Sequence, residues 1–263
     1  MHADAHYVIG AGHLVCQDYA VAGTFDGGAY AIVADGCSGA AGSDVGARLV
    51  ALAAEHAVVA AAGELSPVAI IERARAAAEL LGLAPRCLDA TLMWAVARGD
   101  EVEVMVSGDG VIAAMREDGL LESWSIGFDR GAPAYLGYWL DEARMSELVA
   151  MDQTRRVEHV GPAGTDETLA AVARTPYLFR LTLDARRHPR IALFSDGVTS
   201  VTDSAGEPVE LARVLAELFD FKTATGQFVT RRLRRFAQRE CPVRGWSQRD
   251  DLAAAVLCAA GAA

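Results

Sequence analysis

The sequence predicts an α+β fold in which two mainly antiparallel sheets lie face to face with a pair of helices outside each. Three observations carry this. The apolar runs come in the order strands, two helices, many strands, two helices, one strand, which is not the regular alternation of a doubly wound parallel sheet. Several runs are joined by tight turns such as Asp26-Gly27-Gly28 and Gly99-Asp100, the mark of hairpins. Three of them end beside an Asp-Gly pair, Asp35-Gly36, Asp109-Gly110 and Asp196-Gly197.

Tyr7–Ile9, Tyr19–Phe25 and Tyr30–Ala34 read as strands, the last two joined by the Asp26-Gly27-Gly28 turn. Ser43-Asp44 starts a helix whose apolar positions Val45, Leu49, Leu52, His56 and Val59 recur at three and four residues, and Gly63 is its stop. His56 on that face reads as a core or boundary histidine. Ser66-Pro67 is a cap and first-turn pair for a second helix through about Leu81. Ala90–Arg98, Glu101–Ser107 and Val111–Arg116 form a meander, turned at Gly99-Asp100 and closed by Glu117-Asp118-Gly119. The segment 120–178 has eight glycines and prolines spread through it, an aromatic row (Trp124, Phe128, Tyr135, Tyr138, Trp139) and little periodicity. It reads as loops and short strands, a variable surface for substrate selection. Phe179–Leu183 and Arg190–Ser195 return to strand pattern, Pro208–Phe221 and Gly226–Arg239 read as helices, and Ala253–Cys258 as a final strand. The run Arg231, Arg232, Arg234, Arg235, Arg239 is read as a solvated helix face, with a basic docking face as the alternative.

The 263 residues fit one domain, 1–263, with the loop-rich segment at about 120–178 inside it. Hydrophobic content of 52% with 22% charge is enough for a real core. A net charge of −11 argues against nucleic acid as the main partner, because phosphate backbones need clustered cations. The longest apolar stretch, Leu49 to Ile70, is broken by Glu55, His56, Glu64 and Pro67, so no membrane span is expected. Cys16, Cys37, Cys87, Cys241 and Cys258 are odd in number and lack CxxC spacing, and Met1–His6 has no signal-like pattern. A cytoplasmic protein with mostly buried, reduced thiols is expected.

The chemistry lies in the acids. Carboxylates at strand ends, with glycine letting the backbone bend close by, suit a hard divalent cation held by oxygens. Each Asp-Gly alone is also an ordinary turn. In order, however, His13-x-x-Cys16-Gln17-Asp18, VADGCSGA from Val33 to Ala40, Asp89-Ala90-Thr91-Leu92, SGDGV from Ser107 to Val111, FSDGV from Phe194 to Val198 and Arg249-Asp250-Asp251-Leu252 resemble the bacterial PP2C-type, metal-dependent Ser/Thr protein phosphatases. The resemblance spans roughly residues 6–258. It implies an α/β/β/α sandwich with metals at one end of the paired sheets.

It also implies roles. Asp35 matches the aspartate that bridges two Mn²⁺ or Mg²⁺ ions, with the Gly36 carbonyl as a further ligand. Asp196 and Asp250 match carboxylate ligands of the first ion, Asp18 an acid that reaches the cluster through water, and Asp109 an acid that helps hold a third, weaker ion. Counting back from the final strand favours Asp250 over Asp251, but the pair stays ambiguous. Two such ions lower the pKa of a shared water for attack on phosphorus, with no phospho-enzyme. The implied partners are a phosphorylated protein and a Ser/Thr kinase whose action is reversed. Three positions depart from the common pattern. His13 stands where many relatives hold phosphate with arginine; it is read as a catalytic phosphate contact, against an ordinary turn histidine. Cys37 stands where a histidine often acts as acid, and reads as packing. Gln17 replaces glutamate, as in bacterial relatives. The first two substitutions leave a rival open, a regulatory binding module of the same fold with weak or absent turnover. A hydrolase of small phosphate esters would need a basic pocket near the motifs, and an aspartyl-phosphate enzyme a second acid after Asp35-Gly36.

Overall fold

Alternating apolar residues along paired strands build the molecule from its sheets outward. A computed structural model describes residues 1–60, 66–131, 133–171 and 178–261. Strand β1 is His2–Val8, and the hairpin of β2 (Asp18–Phe25) and β3 (Gly28–Asp35) follows it. Two helices, α1 (Ser43–Ala60) and α2 (Pro67–Leu80), lead into the meander β4 (Leu92–Arg98), β5 (Glu101–Ser107), β6 (Gly110–Met115) and β7 (Leu121–Phe128). Next come α3 (Glu142–Ala150), the pair β8 (Thr154–Gly161) and β9 (Gly164–Ala171), then β10 (Phe179–Asp184) and β11 (Arg190–Phe194). The short β12 (Val201–Thr202), helices α4 (Leu211–Leu218), α5 (Phe228–Arg235) and α6 (Cys241–Arg244), the short β13 (Ser247–Gln248) and β14 (Leu252–Cys258) complete the chain.

One sheet has the order β10-β5-β4-β3-β2 and the other β1-β14-β11-β6-β7-β8-β9, with every named pairing antiparallel. Side-chain alternation sorts each central strand into two cores. In β3, Ala29, Ala31 and Val33 face the opposite sheet, while Tyr30, Ile32 and Ala34 face α1 and α2. In β14, Ala253, Ala255 and Leu257 face the sheet–sheet core, while Leu252, Ala254, Val256 and Cys258 pack under α4 and α5. Strands buried on both faces read as unbroken apolar runs. The result is the predicted α/β/β/α sandwich. Among the described residues, no helix is long and apolar enough to cross a membrane.

Several expectations need correction. The first strand is longer than Tyr7–Ile9 and pairs in register with β14, from His2 opposite Cys258 to Val8 opposite Leu252. The 120–178 segment is far from mostly loop: β7, β8 and β9 extend the larger sheet, and α3 sits between them. The buried face of α1 is Ala47, Val50, Ala51, Ala54 and Val58, whereas Leu52, His56 and Val59 are exposed. Small residues win that face because α1 lies close against the strands and the 3₁₀ turn Pro85–Leu88. The Gly63 stop lies outside the described residues. Pro208 and Val209 pair with β12 instead of starting α4, and α5 passes through a π turn, Phe236–Glu240, before α6. Pro242 explains that turn, since proline cannot donate the next helical hydrogen bond and its ring needs room. The arginine run is not uniformly solvated: Arg232 is buried and paired with Glu240, Glu217 and Asp220, whereas Arg231 and Arg234 are exposed.

Gly46 tests the close packing of α1. An alanine there would raise helix propensity by about 1 kcal/mol, but its Cβ would fall inside the Cys87 carbonyl group. Gly46→Ala should therefore destabilise the protein by about 1–3 kcal/mol in urea unfolding. A more stable variant would contradict the packing.

Candidate metal centre

The strand ends bring the acids to one end of the sandwich. Asp18 opens β2 and Asp35 closes β3, and the two are register partners across the hairpin. In the other sheet, β11 ends at Phe194, opposite Val111 of β6 and Ala254 of β14, so Asp109, Asp196 and Asp250 emerge beside one another. The two sheets are tied here by Ser195, whose Oγ donates to Asp18 Oδ2 at 2.6 Å and accepts from Ala253 N at 2.9 Å. Thr91 Oγ1 accepts from Asp35 N at 3.2 Å, and Thr91 N donates to Asp35 O at 2.8 Å. A cavity of about 240 Å³ is lined by Asp35, Asp109, Asp196 and Asp250, with Gly36 and Tyr135 among its other walls.

Two of the glycines beside these acids answer a packing need. A Cβ at Gly36 would stand 2.5 Å from the Ser43 carbonyl oxygen and 2.9 Å from that of Gln17. One at Gly197 would fall on the Asp251 carbonyl. Distant backbone closes over each acid, and only glycine leaves the space.

Burial and neighbouring charge raise the pKa values of these carboxyl groups, while hydrogen bonding with Asp35 lowers those of Asp18 and Asp196. Burial, then the charges of Asp251 and Asp196, raise Asp18 to about 7, although the Ser195 hydroxyl works in the other direction. Asp35 is pushed well above the carboxylate range by burial and then by Asp18, Asp196 and Asp109, all of them carboxylates. Asp109 rises to about 7 through burial and Asp196. Burial, and then Asp250, raise Asp196. Buried oxygens of one sign, facing a common cavity, fit hard divalent cations. The donor set is all oxygen from the aspartates and the Gly36 carbonyl, which suits Mn²⁺ or Mg²⁺.

Asp250 and Asp251 do different work. The Asp251 carboxylate is buried, and it accepts Gly10 N at 2.8 Å and Gln17 N at 2.6 Å. Asp250 is partly exposed in the cavity, held by its own N–H donating to Ser200 Oγ at 3.0 Å. His13 lies between them, Nδ1 at 2.9 Å from Asp251 Oδ2 and Nε2 at 3.3 Å from Asp250 Oδ1. The Asp251 hydrogen bond raises its pKa most, with Asp250 adding to the effect. Both ring nitrogens thus face carboxylates, which departs from a phosphate-directed histidine. His13, Asp250 and Asp251 also bring ligand-type atoms within 4.8 Å of one another. The amides on Asp251 make that trio a hydrogen-bonded clamp.

The other wall joins motif and aromatic-row residues to Arg144, which no sequence pattern singled out. Asp89 is buried and receives a bidentate Arg144, at 2.7 Å and 2.6 Å, from α3, and Arg144 stacks on Tyr138. Asp89 O also accepts Cys37 N at 2.8 Å, so α3 is fastened directly beside the Asp35-Gly36-Cys37 turn. Tyr135 lines the cavity next to Cys37; burial first, then the thiol, lifts its phenol above the usual range and keeps it neutral. Cys37 itself lines the cavity, more exposed than a packing residue. Gln17 Nε2 donates to Ser43 Oγ at 2.6 Å, tying the first loop to the start of α1.

The chain matches the Protein phosphatase 2C family model over residues 9–238 and belongs to that family. Its fold is also that of solved bacterial phosphatases. A bacterial serine phosphatase superposes with a TM-score of 0.60 at 11% identity, covering 98% of this chain and 97% of the other. The Mycobacterium tuberculosis serine/threonine phosphatase PstP gives 0.54 at 18% identity, with 98% and 97% covered. The catalytic domain of PstP in complex with two manganese ions gives 0.52 at 19% identity, with 97% and 96% covered. No curated protein matches the sequence.

Asp251→Ala would strand the Gly10 and Gln17 amides. Each unsatisfied buried donor costs about 1–3 kcal/mol, so a stability loss of about 2–4 kcal/mol is expected, with faster hydrogen exchange at those two amides than in β14. Unchanged exchange there would remove the clamp from the account.

Proposed function

We propose that the protein is a Mn²⁺- or Mg²⁺-dependent phosphatase that hydrolyses phosphoserine and phosphothreonine in proteins. The observation that carries this reading is the group of carboxyls Asp35, Asp109, Asp196 and Asp250 that line one cavity, with Asp18 buried beside Asp35 as its register partner. Family membership supplies the chemistry class, and the two manganese ions of the PstP catalytic domain support two ions here.

Asp35 would serve two cations, with the Gly36 carbonyl beside it. Asp196 and Asp250 would complete the first site, Asp18 would act on the cluster through water, and Asp109 would help hold a third ion. When bound, the cations supply an activated water and neutralise the phosphoryl oxygens. The chain's own residues prepare the ground. Ser195 orients Asp18, Thr91 fixes the Asp35 backbone, and His13 fixes Asp250 from outside the ligand set. Tyr135 offers a neutral O–H at the cavity wall. No cysteine is needed as nucleophile, and five free thiols fit a reducing compartment such as the cytoplasm. The substrate is a phosphoprotein, and the opposing enzyme a Ser/Thr kinase.

Turnover of p-nitrophenyl phosphate and a phosphothreonine peptide should require Mn²⁺ or Mg²⁺ and fall to the uncatalysed level in Asp35→Ala. A folded wild-type protein that turns over neither at any metal concentration would instead be a binding module of this fold.

His13→Ala separates two roles. As a support for Asp250, its loss should raise the half-saturating Mn²⁺ concentration about tenfold or more, with KM for the phosphopeptide little changed. A higher KM with an unchanged metal requirement would return His13 to the phosphate.

A further inference from the structure

A second groove opens from the carboxylate cavity and shares His13, Gln17 and Ser38 with it. It encloses about 490 Å³, walled on one side by Gly12, Leu14 and Val15 and on the other by the run from Gly39 to Gly42. Leu14 is 99% exposed and Val15 56%. Single exposed leucines are ordinary. Here two large apolar side chains, Leu14 and Val15, stand side by side on one loop at the mouth of a polar site.

That loop is braced. Asp251 holds the amides of Gly10 and Gln17, and Ala11 N and Gly12 N donate to Gln248 O and Arg249 O, each at 2.9 Å. The facing wall is a hydrogen-bonded turn, Ala40 N to Cys37 O at 2.9 Å and Ser43 N to Ala40 O at 3.3 Å. Leu14 is therefore presented on a fixed backbone, which spares the ordering cost of a mobile loop on binding. The charged side chains of the groove are His13 at its inner end and Asp44 at its rim. His13 is already paired with two carboxylates, so no free cation awaits an acidic side chain.

We propose that this groove is a substrate subsite that takes an apolar side chain flanking the phosphorylated residue and disfavours acidic flanks. It rests on the phosphatase reading of the adjoining cavity, because continuity with that cavity is what names a substrate segment as the occupant.

The test compares phosphothreonine peptides with leucine or aspartate at the flanking positions on each side, using the full chain with Mn²⁺. The leucine peptide should show a kcat/KM about tenfold higher for the wild type. Leu14→Ser should erase most of that preference, Leu14→Met should keep it, and p-nitrophenyl phosphate turnover should be the same in all three. Equal kcat/KM for the two peptides in the wild type, or a Leu14→Ser loss matched on p-nitrophenyl phosphate, would overturn the subsite. The same peptides with a non-hydrolysable phosphonate report binding directly. Tighter binding of the leucine version that depends on Leu14 supports the groove even without turnover, and equal binding overturns it. Absent turnover alone would sink the phosphatase reading instead.

Discussion

The repulsion among carboxylates gathered at one end of the sandwich is the constraint on which the rest of the site depends. Burial and neighbouring charge push Asp18 and Asp109 to about 7 and hold Asp35 well above the usual carboxylate range. Side chains in that position would part if their backbones were free. They are not free: Asp18 and Asp35 are register partners of one hairpin, and Asp109, Asp196 and Asp250 leave three neighbouring strands. The sheets spend core packing to keep the acids together, and Ser195 ties one sheet's acid to the other sheet's backbone. Positive charge entering the cavity would relieve that repulsion.

Two ion-pair or hydrogen-bond clamps hold the walls. On one side, a buried carboxylate of the C-terminal strand region gathers the loop from Gly10 to Gln17, and His13 joins it to Asp250. On the other, Arg144 of α3 locks onto Asp89 and brings Tyr135 to the cavity beside Cys37. The first wall adjoins Asp18 and Asp250 in the chain, whereas Arg144 of the second comes from a segment remote from Asp35. The surfaces that meet a substrate are thus set by a few buried charges, while the acids are set by strand register.

Much of this was legible in the sequence, for physical reasons. Strands such as β3, β6, β11 and β14 are buried on both faces, so they stood out as apolar runs, and the acids at their ends stood out with them. Gly36 and Gly197 read as bends of the chain, whereas what requires them is the close approach of other backbone, from Ser43 and Gln17 to Gly36 and from Asp251 to Gly197. What stayed hidden depended on partners far along the chain. Nothing local in Asp250-Asp251 reveals that Asp251 serves Gly10, 241 residues away. In β8 the inward positions are Arg155 and Val157, so an arginine lying over Phe179 broke the alternation that would have announced a strand. In α1 the large apolar residues proposed a face, but tight packing chose the alanines. Tyr135 and Arg144 sat in a stretch without periodicity, where only the tertiary contact to Asp89 and Cys37 gives them meaning.

The most direct test of the central claim is calorimetric titration of Mn²⁺ into metal-free protein, followed by thermal unfolding at rising Mn²⁺. If the carboxylates form a cation site, binding is saturable and stability rises with free metal, by about 2.7 kcal/mol at a hundredfold excess over Kd. Both effects should vanish when Asp35 and Asp196 are replaced by asparagine. Saturable binding that survives those replacements, or no binding at all in the folded wild type, would contradict the account.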